Sequence, residues 1–145
     1  MKRLIFDSCY WFALFNEKDQ YHHLANQMAD TFNSPSIKIL IPFPSMYETL
    51  NTAFVDNKSR LKKLFEILSN HEKVEFIFDE EYKDNAYRNT IGQENGCKVS
   101  LVDSIILEML EDKNLAIDGV VTFNSRDFAE PCRILQKEMV CYAQE

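Results

Sequence analysis

The chain has 145 residues, 46% of them hydrophobic and 27% charged, a balance that suits one globular domain, residues 1–145, with a core large enough to need no staples. Its formal net charge of -7 disfavours broad electrostatic attraction to nucleic acid or acidic membranes but leaves room for a local basic rim. Its three glycines are not spaced for the Gly-rich loops that cradle phosphates in dinucleotide and P-loop sites. The four cysteines, Cys9, Cys97, Cys132 and Cys141, form no CxxC pair and have no histidine at zinc-finger spacing, so buried thiols in a reducing compartment are expected. The apolar run after Met1-Lys2-Arg3 is too short for a secretory signal, and no stretch approaches the ~20 residues of a membrane span. The expectation is a cytoplasmic protein with no membrane partner.

Leu4-Ile5-Phe6 is apolar without alternation, as in a strand covered on both faces of a parallel sheet, and it runs directly into Asp7-Ser8. Ligands of open α/β sheets bind beyond the carboxyl ends of the strands, where this places Asp7. A helix N-cap is the other reading of an aspartate at that position. Helices follow over residues 9–15 and 20–32, broken by Asn16-Glu17-Lys18-Asp19. Tyr10, Trp11, Phe12 and Phe15 fall at helical spacing and read as core rather than as a surface for stacking bases. His22 and His23 read as a solvated helix start. A second strand covers residues 37–41 and stops at Pro42.

The next helix is expected over residues 43–55, with Met46, Tyr47, Leu50, Ala53 and Phe54 on its buried side. Ser45 and Glu48 have the spacing of a capping box, yet Glu48 lies off the apolar stripe at the helix start, where a strand-end crevice would be. Ser59 caps a helix to residue 69, whose Arg60, Lys62 and Lys63 form the densest basic group in the chain, either a solvated face or a phosphate contact. A short strand over residues 74–78 and a polar helix over 79–93 come next, the helix ended by the segment from Gly92 to Gly96.

The helix over residues 99–110 is apolar on nearly every side and should be buried. Asp103 shares a face with Ile106, Leu107 and Leu110, and a carboxylate there is costly unless a cation or several donors meet it. Ser100 and Asp103 again have capping-box spacing, so that reading also stands. A fourth strand covers residues 119–122, Asn124 caps a helix with Asp127 at the box position, and Pro131 interrupts that helix. Residues 134–135 and 139–142 supply a last strand at a sheet edge.

Strands alternating with helices define an α/β domain with a mainly parallel central sheet of four to five strands flanked by helices. Asp7, Glu48, Asp103 and Asp127 can then converge on one edge of that sheet. Gathered carboxylates repel one another and take up protons unless divalent cations neutralise them, and oxygen ligands suit Mg2+ or Mn2+. Two such ions can activate a water and stabilise the leaving oxygen of a phosphodiester. No serine, cysteine or histidine triad competes with this reading.

The ordered set of LIFDS, Tyr47-Glu48-Thr49-Leu50, Ser100-Leu101-Val102-Asp103-Ser104-Ile105-Ile106-Leu107 and Val121-Thr122-Phe123-Asn124-Ser125-Arg126-Asp127-Phe128 resembles the PIN-domain ribonucleases over essentially the whole chain. The resemblance implies that Asp7, Glu48 and Asp103 are metal-binding acids, with Ser8 and Thr122 as the small polar residues beside them. Many members are VapC-type toxins, which implies an RNA substrate, an antitoxin protein that blocks the site, and a homodimer. The pattern departs at the fourth acid, where many members have aspartate and this chain has Asn124. Either Asp127 substitutes, as in members with T-x-N-x-x-D-F, or Asn124 is a neutral ligand, and either change weakens a second metal site. Arg60, Lys62, Lys63 and Arg126 are the candidate RNA contacts. A catalytically inactive PIN scaffold that binds proteins is the alternative from another class. A haloacid-dehalogenase site needs a second aspartate where Cys9 stands, and a phospho-receiver site lacks its acidic pair.

Overall fold

A computed structural model describes residues 1–93 and 99–140. Five strands, β1 (Lys2–Phe6), β2 (Ile37–Pro42), β3 (Val74–Ile77), β4 (Gly119–Val121) and β5 (Glu138–Val140), form one sheet in the order β3-β2-β1-β4-β5. Every neighbouring pair is parallel. Chain order reverses on either side of β1, so the carboxyl ends of β1 and β4 flank the switch point at which open α/β sheets bind ligands.

Both faces of the sheet are covered, which explains strands that read as continuous apolar runs. Leu4, Phe6, Ile39, Ile41 and Val121 pack into one core with Tyr10 and Trp11 of α1 (Ser8–Phe15), Ala25 and Phe32 of α2 (His22–Phe32), and Leu64. Ile5, Leu40 and Val120 turn to the other core, against Ile105, Ile106, Met109 and Phe128. Leu4, Ile5 and Phe6 are at most 1% exposed, and each such side chain contributes about 1.5–3 kcal/mol of burial. Aromatic residues of α1 are core, as their spacing suggests: Phe6 stacks on Trp11 and meets Tyr10 edge-on.

Several boundaries differ from expectation. The helix expected over residues 43–55 is two helices, α3 (Phe43–Thr49) and α4 (Thr52–Val55), because Asn51 Oδ1 accepts the Phe54 N–H at 3.0 Å and starts a new turn. Glu48 therefore stands in the last turn of α3 rather than at a helix start. No capping box forms: the Ser45 hydroxyl donates to the Pro42 carbonyl at 2.7 Å. The apolar stripe also fails in part, since Met46 and Phe54 are buried while Tyr47 is 77% and Leu50 40% exposed. Asn57, not Ser59, caps α5 (Lys58–Leu68), and the polar helix shortens to α6 (Lys83–Ile91).

The buried helix is α7 (Leu101–Glu111), capped by Ser100. Pro131 does not interrupt α8 (Ser125–Leu135), which also takes in residues expected in the last strand. Proline in a helix interior costs about 3 kcal/mol, and burial of Phe128 and Cys132 on either side holds the helix through it. Cys9 and Cys132 are free thiols, Cys132 buried as expected and Cys9 only partly so, while Gly96, Cys97, Cys141 and Tyr142 lie outside the described residues. Among the described residues no helix is long and apolar enough to cross a membrane.

Candidate active site

Asp7 directly follows β1 and caps α1, so its strand-end position and its N-cap role coexist. Its Oδ1 accepts the Ser8 N–H at 2.8 Å, and its Oδ2 accepts the Thr122 hydroxyl at 2.9 Å. Thr122, fully buried just past β4, also accepts the Asn124 N–H at 3.0 Å. The Ser8 hydroxyl donates to Glu48 Oε1 at 3.0 Å, which turns the head of that exposed residue back toward the sheet. Asn124 Nδ2 donates to Asp127 Oδ2 at 2.9 Å and to Asp103 Oδ2 at 3.2 Å. Glu48, Ser8, Asp7, Thr122, Asn124, Asp103 and Asp127 are thus linked in one polar network across β1, β4 and four helices.

Helix ends set most of these positions. Asp7 is the N-cap of α1, and Asp103 and Asp127 are each the third residue of α7 and α8. The positive end of a helix favours a carboxylate by about 0.3–1 kcal/mol, so three helix starts partly offset the crowding of negative charge. Glu48, at the other end of its helix, gains no such relief.

The remaining electrostatic cost shows in the carboxyl groups. Burial pushes the Asp103 carboxyl up to about 7, and the charges of Asp7, Asp127 and Glu48 add to the shift. Burial likewise raises Asp7, against the opposing hydrogen bonds from Thr122, Cys9 and Ser8. Glu48 is raised by burial of its head and by the Asp7 charge, with the Ser8 hydroxyl working against them.

Cys9, expected only as a buried reduced thiol, also enters this network. Its Sγ lies 3.4 Å from Asp7 Oδ2 and accepts the Phe123 N–H at 3.3 Å. Burial and the neighbouring Asp7 charge push its thiol up to about 12, so it is a neutral donor and not a nucleophile. The available signal was its place in the first turn of the helix that Asp7 caps.

Asn124 Oδ1 faces the Asp127 N–H at 3.4 Å as the cap of α8, so the group presented to the acids is its amide donor, not its carbonyl. Arg126 Nε lies 3.5 Å from Asp127 Oδ1. Arg60 lies over the Phe54 ring, Lys62 and Lys63 are exposed on α5, and among the described residues none of the three forms an ion pair with the acids.

Among the described residues no three histidine, cysteine or carboxylate side chains are already gathered closely enough to hold a metal ion. The chemistry of the donor set nevertheless fits a hard divalent cation. It consists of oxygen donors, it shares uncompensated negative charge at Asp103, and Asp7 and Glu48 are each aimed by a neighbouring hydroxyl.

No protein-family profile matches the chain, and no curated protein sequence matches it. Among solved structures it is similar to the crystal structure of VapC20 from Mycobacterium tuberculosis, a sarcin-ricin-loop-cleaving toxin. The TM-score is 0.67 at 16% identity, over 88% of this chain and 94% of that one. At that identity the likeness speaks to fold, and the fold is PIN-like α/β.

Proposed function

We propose that this chain, as a single PIN-like domain over residues 1–145, is a metal-dependent endoribonuclease. The observation that carries the reading is the hydrogen-bonded network in which Ser8, Thr122 and Asn124 gather Glu48, Asp7, Asp103 and Asp127 at the ends of β1 and β4. Asp7, Glu48, Asp103 and Asp127 would hold Mg2+ or Mn2+. A bound divalent cation of this kind lowers the pKa of water and screens the charge of a phosphodiester. Thr122 and Ser8 orient Asp7 and Glu48 through their hydroxyls, and the Asn124 amide holds Asp103 and Asp127 side by side. Because Asn124 stands where a fourth acid is common, occupancy by one ion is the expected state.

The shared fold with a toxin that cleaves the sarcin-ricin loop supports a structured RNA as substrate and a toxin's place in a type II pair. Its partners would then be an antitoxin protein that covers the acids and a second copy of the chain, and its compartment the reducing cytoplasm. Purified protein incubated with structured RNAs and Mg2+ or Mn2+ should cleave them, and cleavage should vanish with EDTA and in Asp103→Asn. Absence of cleavage by the wild type across several RNAs, together with absence of Mn2+ binding, would replace this reading with a protein-binding scaffold.

A further inference from the structure

Apart from the acids, a cleft of about 570 Å3 opens between the segment joining α1 to α2 and the start of α5. Lys18, His22, Arg60 and Lys63 line it, against a single carboxylate, Glu17. In a chain of net charge -7 this is a local reversal of sign, assembled from two stretches far apart in sequence. Asn57 and Ser59 also line the cleft, and the Asn57 cap on the Arg60 N–H at 3.0 Å puts the positive end of α5 there.

Arg60 is held in place at the wall of this cleft. Its guanidinium carbon lies 5.5 Å from the Phe54 ring centroid, which fixes the side chain in place, while its Nε is buried with no hydrogen-bond partner. The planar guanidinium of Arg60 suits bidentate recognition of phosphate. His22 Nδ1 donates to the Ala13 carbonyl at 2.7 Å, which holds the ring at the edge of the cleft. Among the described residues no ion pair engages Lys18, Arg60 or Lys63.

The cleft and the acids meet opposite ends of α1. Ser8, in contact with Glu48, begins α1, and Leu14 and Phe15 at its far end line the cleft. Seven residues of helix rise about 10 Å, a span of a few nucleotides. Carboxylates at one end of α1 repel phosphate, and cations at the other end attract it.

We propose that this cleft binds phosphate, and that it takes backbone phosphates of an RNA strand a few nucleotides from the cleaved bond. The inference rests on the nuclease reading only for RNA as the source of the phosphates. Binding of a fluorescein-labelled oligouridylate, followed by anisotropy in EDTA so that no cleavage occurs, tests it separately from catalysis. The double variant Lys18→Gln/Lys63→Gln changes two exposed side chains and should keep its fold, verified by circular dichroism. It should bind about fivefold or more weakly, with a slope of log affinity against log salt shallower by about 1.4, as two lost phosphate contacts on a single strand require. Arg60→Gln should weaken binding further in the same direction.

Unchanged affinity and slope in the double variant, with no binding of inorganic phosphate by calorimetry, would overturn the site altogether. Phosphate binding lost in the variant while RNA binding is unchanged would overturn RNA as the source and assign the cleft to a free anion. Tighter binding of a polyglutamate peptide than of RNA would overturn it in favour of an acidic protein partner. Mn2+ binding by the wild type is read in parallel, so loss of the nuclease reading and loss of this one give different results.

Discussion

The Asp103 carboxyl is where burial and like charge meet. Its unfolded value is near 3.8 and its folded value about 7, so it takes up a proton on folding between those two limits. Stability without metal therefore falls as pH rises from about 4 to about 7, and stays lowered above that. Asp103→Asn removes the penalty. In EDTA the variant should melt above the wild type at pH 8, with the gap closing as the pH approaches 4. A variant that melts below the wild type at pH 8 would show that the acid is not under strain. Thr122 acts on Asp7 through one hydroxyl bond of 2.9 Å. Thr122→Val keeps the shape but removes that donor, and should lower Mn2+ affinity and cleavage about 10–100-fold, as loss of a group that orients a metal ligand does.

At the level of elements, β4 and β5 approach so closely that Gly119 is required. A Cβ there would sit 2.4 Å from the Glu138 carbonyl oxygen, a backbone atom that cannot swing aside. Gly119→Ala should cost about 1–3 kcal/mol, read by chemical denaturation, and should displace Thr122 three residues on. The parallel sheet was legible because Leu4-Ile5-Phe6 and Gly119-Val120-Val121 are apolar runs that only a two-sided burial explains. The break between α3 and α4 was not, since it depends on one asparagine choosing to cap rather than continue a helix. Nor was the passage of α8 through Pro131, where packing of Phe128 and Cys132 overrides a local rule. Local signals locate strands well because burial pattern and chain direction agree there. They locate helix ends poorly wherever tertiary contacts decide the last turn.

Across the whole molecule, the strand order places the ends of β1 and β4 side by side and starts α1, α7 and α8 beside them. The grouping of acids could be anticipated from residue types at strand and helix ends. The donor role of the Asn124 amide and the joining of Lys18 and His22 to Arg60 and Lys63 in one cleft could not, because the first depends on the rotation of a single side chain and the second on contacts between segments more than 30 residues apart. A cation bound to the folded chain alone would stabilise it by linkage, so Mn2+ should raise the melting temperature in proportion to its excess over the dissociation constant.

The most direct measurement is a calorimetric titration of Mn2+ into the wild type and Asp103→Asn at pH 8 and pH 6. The account predicts binding by the wild type at pH 8, weaker binding with proton release at pH 6, and a loss of more than about tenfold in the variant at pH 8. No binding by the wild type at pH 8, or equal binding by the variant, would contradict it.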